Sequence, residues 1–213
     1  MMKRFYDAPY RVFLAFTAAA LILLFVVKNL RYTGLRRAYR KNGSLVEYTY
    51  TVADFTQNSL AERGEYLIAT DSDPQLVREW PAQAIDTITF YMEAEIYPGE
   101  MVVYYTEDAA EPFSEKKRVW ITPTDRENVY TANLGLKKIR NIRIDPTMYA
   151  GNRMIFGDFV FNVPRSLADN FRITYGDIFN LIVYTGFISG LLKLLAEVLS
   201  AFDKNKNIKV RTR

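Results

Sequence analysis

The run from Val12 to Val27, VFLAFTAAALILLFVV, holds sixteen residues without a charge and is bounded by Arg11 and Lys28. As a helix it measures about 24 Å at about 1.5 Å per residue. That reaches across a hydrocarbon core when the flanking Arg and Lys extend toward the interfaces. A helix buried in a soluble core keeps one polar face, and this run has none. A cleaved signal peptide ends in small residues, whereas this run ends VVKNLR with its alanines in the middle. Residues 1–30 are therefore expected to form an uncleaved membrane anchor, with Tyr6 and Tyr10 suited to the interface.

A second apolar run, IFNLIVYTGFISGLL from Ile178 to Leu192, continues as KLLAEVLSAF. Two arrangements are open for 176–202: a second membrane helix, or an amphipathic helix lying on the bilayer or on a partner. Gly186 and Gly190 form a small-xxx-small step that suits helix packing in lipid. Lys193 and Glu197 share a face at i,i+4 and can neutralise each other there, which favours spanning. These four are the candidate helix-packing residues.

Charge follows the same division. Residues 1–41 carry nine Lys/Arg and one Asp, and residues 203–213 carry five and one. The stretch between carries fourteen Lys/Arg and twenty-two Asp/Glu. The basic ends read as juxtamembrane charge: a linker or interfacial helix over 31–44, and a tail over 203–213. An acidic middle argues against nucleic acid as the partner. Counting Arg165 and Arg172 with the middle, eight Lys/Arg flank the membrane segments on each side, so charge alone does not orient the chain. There is no Cys and no His. That removes disulfides, thiolate nucleophiles, His-based triads and the usual zinc sites; no metal or cofactor is expected.

From Leu45 to Val163 the hydrophobic period becomes two. LVEYTYTV, EYLIAT and PQLVREW open the region. The clearest strand is Ala84 to Ile96, with Ile88, Phe90, Met92, Ala94 and Ile96 on one side and Thr87, Thr89, Tyr91, Glu93 and Glu95 on the other. Tyr97-Pro98-Gly99-Glu100 is a turn leading into MVVYYT. A polar insert, EDAAEPFSEKK, precedes RVWITP; NVYTANL and KIRNIRID follow. MIFGDFVFNV closes the series, with Ile155, Phe159, Phe161 and Val163 on one side, and Pro164 ends it before a linker over 164–175. Eight or nine short strands at this spacing predict an antiparallel sandwich.

Two stretches carry a resemblance. Thr70-Asp71-Ser72-Asp73-Pro74-Gln75 resembles the "DPQ" opening, and Ile139 to Pro146 with Gly151 and the Met154–Phe161 strand resembles the "IRIDP…G" close, of a jelly-roll, carbohydrate-binding-like β-sandwich. That domain belongs to membrane proteins of bacterial surface-polysaccharide assembly, glycosyltransferases among them. The resemblance implies a mainly β, jelly-roll-like antiparallel sandwich over 45–163, outside the cytoplasm and flanked by membrane helices. This chain has no room for a glycosyltransferase catalytic part. Read locally, Asp145-Pro146 extends a strand and then turns.

The resemblance implies glycan contact through aromatic rings, for which Trp80, Tyr97, Tyr105 and Trp120 are the candidates; the alternative is that each fills the core or its rim. Glu93 and Glu95 lie roughly 7 Å apart along one strand, a spacing that carboxylate pairs of glycoside hydrolases use, but a wet strand face explains them. Lys137, Lys138, Arg140 and Arg143 form a basic cluster suited to anionic polymer or to protecting a sheet edge. No catalytic residue is assigned. The expected function is a non-catalytic accessory or assembly subunit at the cell membrane. Its partners would be membrane lipid and another membrane protein, glycosyltransferase-like, or a second copy. The alternative is a module that itself holds surface glycan, and a weaker alternative is a carboxylate-dependent glycan-active enzyme.

Overall fold

The computed structural model describes residues 10–80, 83–165, 171 and 175–211, with α2 side chains through Phe202. Tyr6, Arg172, most of the 164–175 linker and the side chains of the basic tail lie outside the described residues. Among the described residues, two long helices, α1 (Tyr10–Lys41) and α2 (Tyr175–Arg211), flank twelve strands along the chain. Contacts divide the chain into two units: residues 35–164, and the helical segments on either side of them.

The 35–164 unit is an antiparallel β-sandwich. One sheet has seven strands. Its path runs β3 (Leu60–Arg63), β4 (Tyr66–Ala69), β12 (Arg153–Phe161), β6 (Ala84–Ala94), β10 (Val129–Lys138) and β9 (Thr122–Pro123), and β1 (Tyr48–Tyr50) pairs with β12 off that path. The other has five, in the order β2 (Thr56–Asn58), β5 (Gln75–Glu79), β11 (Asn141–Asp145), β7 (Val102–Thr106) and β8 (Arg118–Trp120). Only β3–β4, β9–β10 and β7–β8 pair as sequence neighbours; the other connections cross within a sheet or between the two sheets. Alternation on each strand sends one set of side chains between the sheets. Ile88, Phe90 and Met92 of β6 meet Phe159 and Phe161 of β12 and Ile142 and Ile144 of β11 in one buried cluster.

Two details differ from the period-two expectation. In β12 the register against β6 shifts between Phe156 and Phe159. This bulge inserts a residue and reverses which side chains face in. Met154, Phe159 and Phe161 are therefore buried while Ile155 is exposed. Strand β6 ends at Ala94, so Ile96 stands on the following loop, exposed. Glu95 also lies past the strand end, 3.4 Å from Arg153, while Glu93 accepts from the Tyr91 hydroxyl. The two carboxylates do not form a pair on one strand.

The basic segment 31–44, expected as a linker or interfacial helix, is the continuation of α1 through Lys41. Its last turns belong to the sandwich unit. Arg36 Nε lies 2.6 Å from Asp86 Oδ2 on β6, with side-chain exposures of 5% and 1%. Arg40 donates to the Asn162 carbonyl at 2.7 Å. Asn162, itself buried, donates to the carbonyls of Val46 and Ala84 and accepts from the Asp86 amide. These arginines are structural cations whose partners lie far along the chain.

In the helical unit, both helices are long and apolar enough to cross a membrane. The Tyr10 hydroxyl donates to the Gly186 carbonyl at 3.2 Å. Phe13 and Thr17 are buried on α1, and Ser189 and Ala196 on α2. Phe16, Leu23, Phe179, Ile182 and Phe187 are exposed.

Candidate functional site

The outer face of the five-stranded sheet carries a connected set of polar and aromatic side chains. On β11, Ile142 and Ile144 point into the core, so Asn141, Arg143 and Asp145 point out. On β7, Val103 and Tyr105 point in and Tyr104 points out. The register sets Arg143 opposite both Tyr104 and Val77, Tyr104 opposite Arg118, and Val102 opposite both Asp145 and Trp120. Neighbouring strands about 4.8 Å apart thus bring these side chains into adjacent rows.

A continuous network joins them. Arg143 donates from Nε to Asp145 Oδ1 and from Nη2 to Asp145 Oδ2, each at 2.7 Å. The same Nη2 reaches Asp73, which also accepts from Gln75 Nε2 at 2.7 Å. The Arg143 guanidinium lies 5.0 Å from the centre of the Tyr104 ring. The Tyr104 hydroxyl donates to Glu115 at 2.7 Å, and Arg118 pairs with the same carboxylate. Arg118 in turn lies over the Trp120 ring at 4.6 Å. Burial pushes the Asp145 carboxyl above its ordinary value, and Arg143 offsets only part of that. Burial works against the charge on Arg143, yet the Asp145 hydrogen bonds hold its guanidinium above its ordinary value. Burial and the bond to Glu115 raise the Tyr104 phenol. Burial thus opposes the charged forms of both the Asp145 carboxyl and the Tyr104 phenol.

The polar insert 107–117 closes one side of this face. Asn141 Nδ2 donates to Thr106 Oγ1 and to the Ala109 carbonyl, and Thr106 is fully buried. Lys117 clamps the insert by bridging Glu107 at 2.9 Å and Glu111 at 2.8 Å. Bonding to Lys117 holds the Glu111 carboxyl below its ordinary value.

The structure separates the four aromatic candidates. Trp80 is 3% exposed, stacked on Phe161 at 4.6 Å and edged by Tyr48 and Tyr50. Tyr105 is 4% exposed and faces the core from β7. Neither ring offers a face to a ligand, so the expectation of glycan contact is corrected for both. Trp120, 45% exposed, stands on the outer sheet face. Tyr97, 79% exposed, stands on the β6–β7 loop, outside the network just described. That loop packs on the 146–151 turn: the Met148 amide donates to the Pro98 carbonyl at 3.1 Å.

The expected basic cluster does not assemble. Lys137 and Lys138 lie on β10, and Lys137 sits over the Tyr105 ring, whereas Arg143 belongs to the other sheet. On α2, Lys193 Nζ lies 3.6 Å from Glu197 Oε1. An added Cβ at Gly186 or Gly190 meets nothing within 4 Å, so neither glycine is required for close approach of α1. Among the described residues, no group of three Asp or Glu side chains is placed to hold a metal.

Sequence reasoning missed Tyr104, Arg118, Arg143, Asp145 and Asp73 as a group. The signal was present in part. The Asp73-Pro74-Gln75 and Arg143-Ile144-Asp145 motifs, seventy residues apart, meet through the Asp73–Arg143 contact.

No family model and no curated protein matches this chain. Among solved structures it is similar to a low-affinity xylan-binding module, CBM86, from Roseburia intestinalis, at 11% identity and TM-score 0.36, covering 55% of this chain and 94% of that one. It is similar to a variant of CBM29-2, a family 29 carbohydrate-binding module, at 12% identity and TM-score 0.38, covering 61% and 99%. It is also similar to CsCBM6-3 from Clostridium stercorarium, solved with cellobiose, at 10% identity and TM-score 0.29, covering 55% and 93%. Likeness at this level transfers no ligand from those modules to this chain.

Proposed function

We propose that this chain is a membrane-tethered, non-catalytic glycan-binding module whose sandwich lies outside the cytoplasm. One observation carries the reading: an exposed Trp120 ring beside a pre-bonded row of Arg118, Tyr104, Arg143, Asp145 and Gln75 on one sheet face. A sugar ring has an apolar C–H face and a rim of hydroxyls. An indole ring accepts the first, and planar amide, carboxylate and guanidinium groups accept and donate to the second. Side chains already held by one another lose little rotamer freedom on binding.

The tether is supported by an inverted distribution on the helices. Most large apolar side chains, Phe16, Leu23, Phe179, Ile182 and Phe187 among them, are exposed, while Thr17, Ser189 and Ala196 are buried together with Phe13. Water disfavours that pattern; lipid accepts it, because small and hydroxyl residues then pack the helix pair. With both helices spanning, the eight Lys/Arg on each side balance. Two of the sandwich-side eight, Arg36 and Arg40, are bound within the sandwich itself. That tips the free positive charge toward the termini and supports a cytoplasmic placement for them.

The test is retention of the full chain, in detergent, on immobilised polysaccharides. Trp120→Ala is expected to weaken retention at least about tenfold, or about 1.4 kcal/mol, with Tyr97→Ala as a comparison at another exposed ring. Unchanged retention by a folded Trp120→Ala protein would overturn the reading.

The second reading is an accessory or assembly subunit for another membrane protein. Gly186, Gly190, Lys193 and Glu197 recur at i, i+4, i+7 and i+11 along one side of α2, with open space beside the glycines. Purification in mild detergent separates the two: a stoichiometric membrane partner that is lost with Gly190→Leu supports this second reading, and recovery of the protein alone counts against it.

A further inference from the structure

Resting on the glycan reading, we infer that the outer sheet face selects neutral glycan chains and rejects polyanionic ones such as polyuronates. The residue best suited to a sugar carboxylate is Arg143, because a guanidinium fork matches a carboxylate with two parallel bonds. That fork is filled. Its Nε and Nη2 both bond the Asp145 carboxylate, and Nη2 also meets Asp73. The second arginine of the face is committed as well: Arg118 pairs with Glu115 and stacks on Trp120. A uronate would have to displace a carboxylate that the fold supplies on a neighbouring residue, at no entropic advantage.

The surrounding field points the same way. The outward residues of β5, β7, β8 and β11, together with Asp73 and the 107–117 insert, hold seven carboxylates against four cations. The insert's Lys117 is held between Glu107 and Glu111, so it is not offered to a ligand. A polyanion approaching this face meets a net negative potential, which salt screens over about 10 Å at 0.1 M. A neutral chain meets the same hydroxyl-bonding groups without that cost.

The experiment measures binding of the full chain in detergent to linear hexasaccharides at low and high salt. The neutral probes are gluco-, xylo- and manno-oligosaccharides; the anionic probe is oligogalacturonate. The expected result is a neutral chain that binds at least about tenfold more tightly than oligogalacturonate at low salt, with the gap narrowing as salt rises. Glu115→Gln, which keeps a partner for the Tyr104 hydroxyl and releases Arg118, is expected to improve oligogalacturonate binding several-fold. Oligogalacturonate binding as tightly as the neutral chains would overturn the selectivity and leave glycan binding standing. Binding of none of the four would overturn the glycan reading itself.

Discussion

Trp80 and Trp120 are the two tryptophans of the chain, and their neighbours give them opposite tasks. Trp80 fills the core against Phe161, whereas Trp120 lies open under Arg118. Trp80→Ala is expected to cost about 3–5 kcal/mol through lost contact and the cavity left behind. Trp120→Ala, losing only an exposed cation–π contact, is expected to cost about 1 kcal/mol or less. Denaturant unfolding checks the pair, and equal losses would contradict the assignment. Asp86→Ala is expected to cost as much as Trp80→Ala, because it removes the 2.6 Å partner of the buried Arg36 guanidinium. A loss of about 3–5 kcal/mol is expected, and pairing it with Arg36→Ala should cost less than the sum of the two. Neither role was legible locally. Trp80 ends an alternating strand before a proline, which suits a rim as well as a core. Arg36 sits in a basic run, and its partner is fifty residues away.

At the scale of elements, alternation showed most of the longer strands because one face of each is buried. β6 is the clearest case, with Ile88, Phe90 and Met92 all inside. The bulge in β12 was not legible, since a register shift depends on the partner strand and leaves no periodic mark; it turned Ile155 outward. The short strands β2 and β3 are joined through Ser59 at φ 55°, a conformation that nothing in its neighbours announced. The turn at Tyr97-Pro98-Gly99-Glu100 was legible, and its glycine has two reasons to be there. Gly99 has φ +74°, and an added Cβ would lie 2.7 Å from Met148 Cγ and Sδ. Gly99→Ala is expected to destabilise the sandwich by about 1–3 kcal/mol, read from the shift in its unfolding midpoint. The continuation of α1 beyond Lys28 was open because the apolar pattern stops there; Ala, Leu and Arg carry the helix on, and bonds from Arg36 and Arg40 to the sandwich fix its end.

For the whole molecule, the sequence reads as apolar ends around a β-rich middle over 45–163, while contacts group residues 35–164 as one unit that takes in the end of α1. What the sequence did not show was the outer sheet face, since that surface is assembled from β5, β7, β8 and β11 and from motifs that meet only after folding. The glycan reading is a statement about that face. Hydrogen exchange of the full chain in detergent, with and without a saturating neutral oligosaccharide, tests it directly. Slowed exchange on β7, β8, β11 and the 107–117 insert is the predicted result. Protection confined to the seven-stranded sheet, or absent at a concentration where binding is measured, would contradict it.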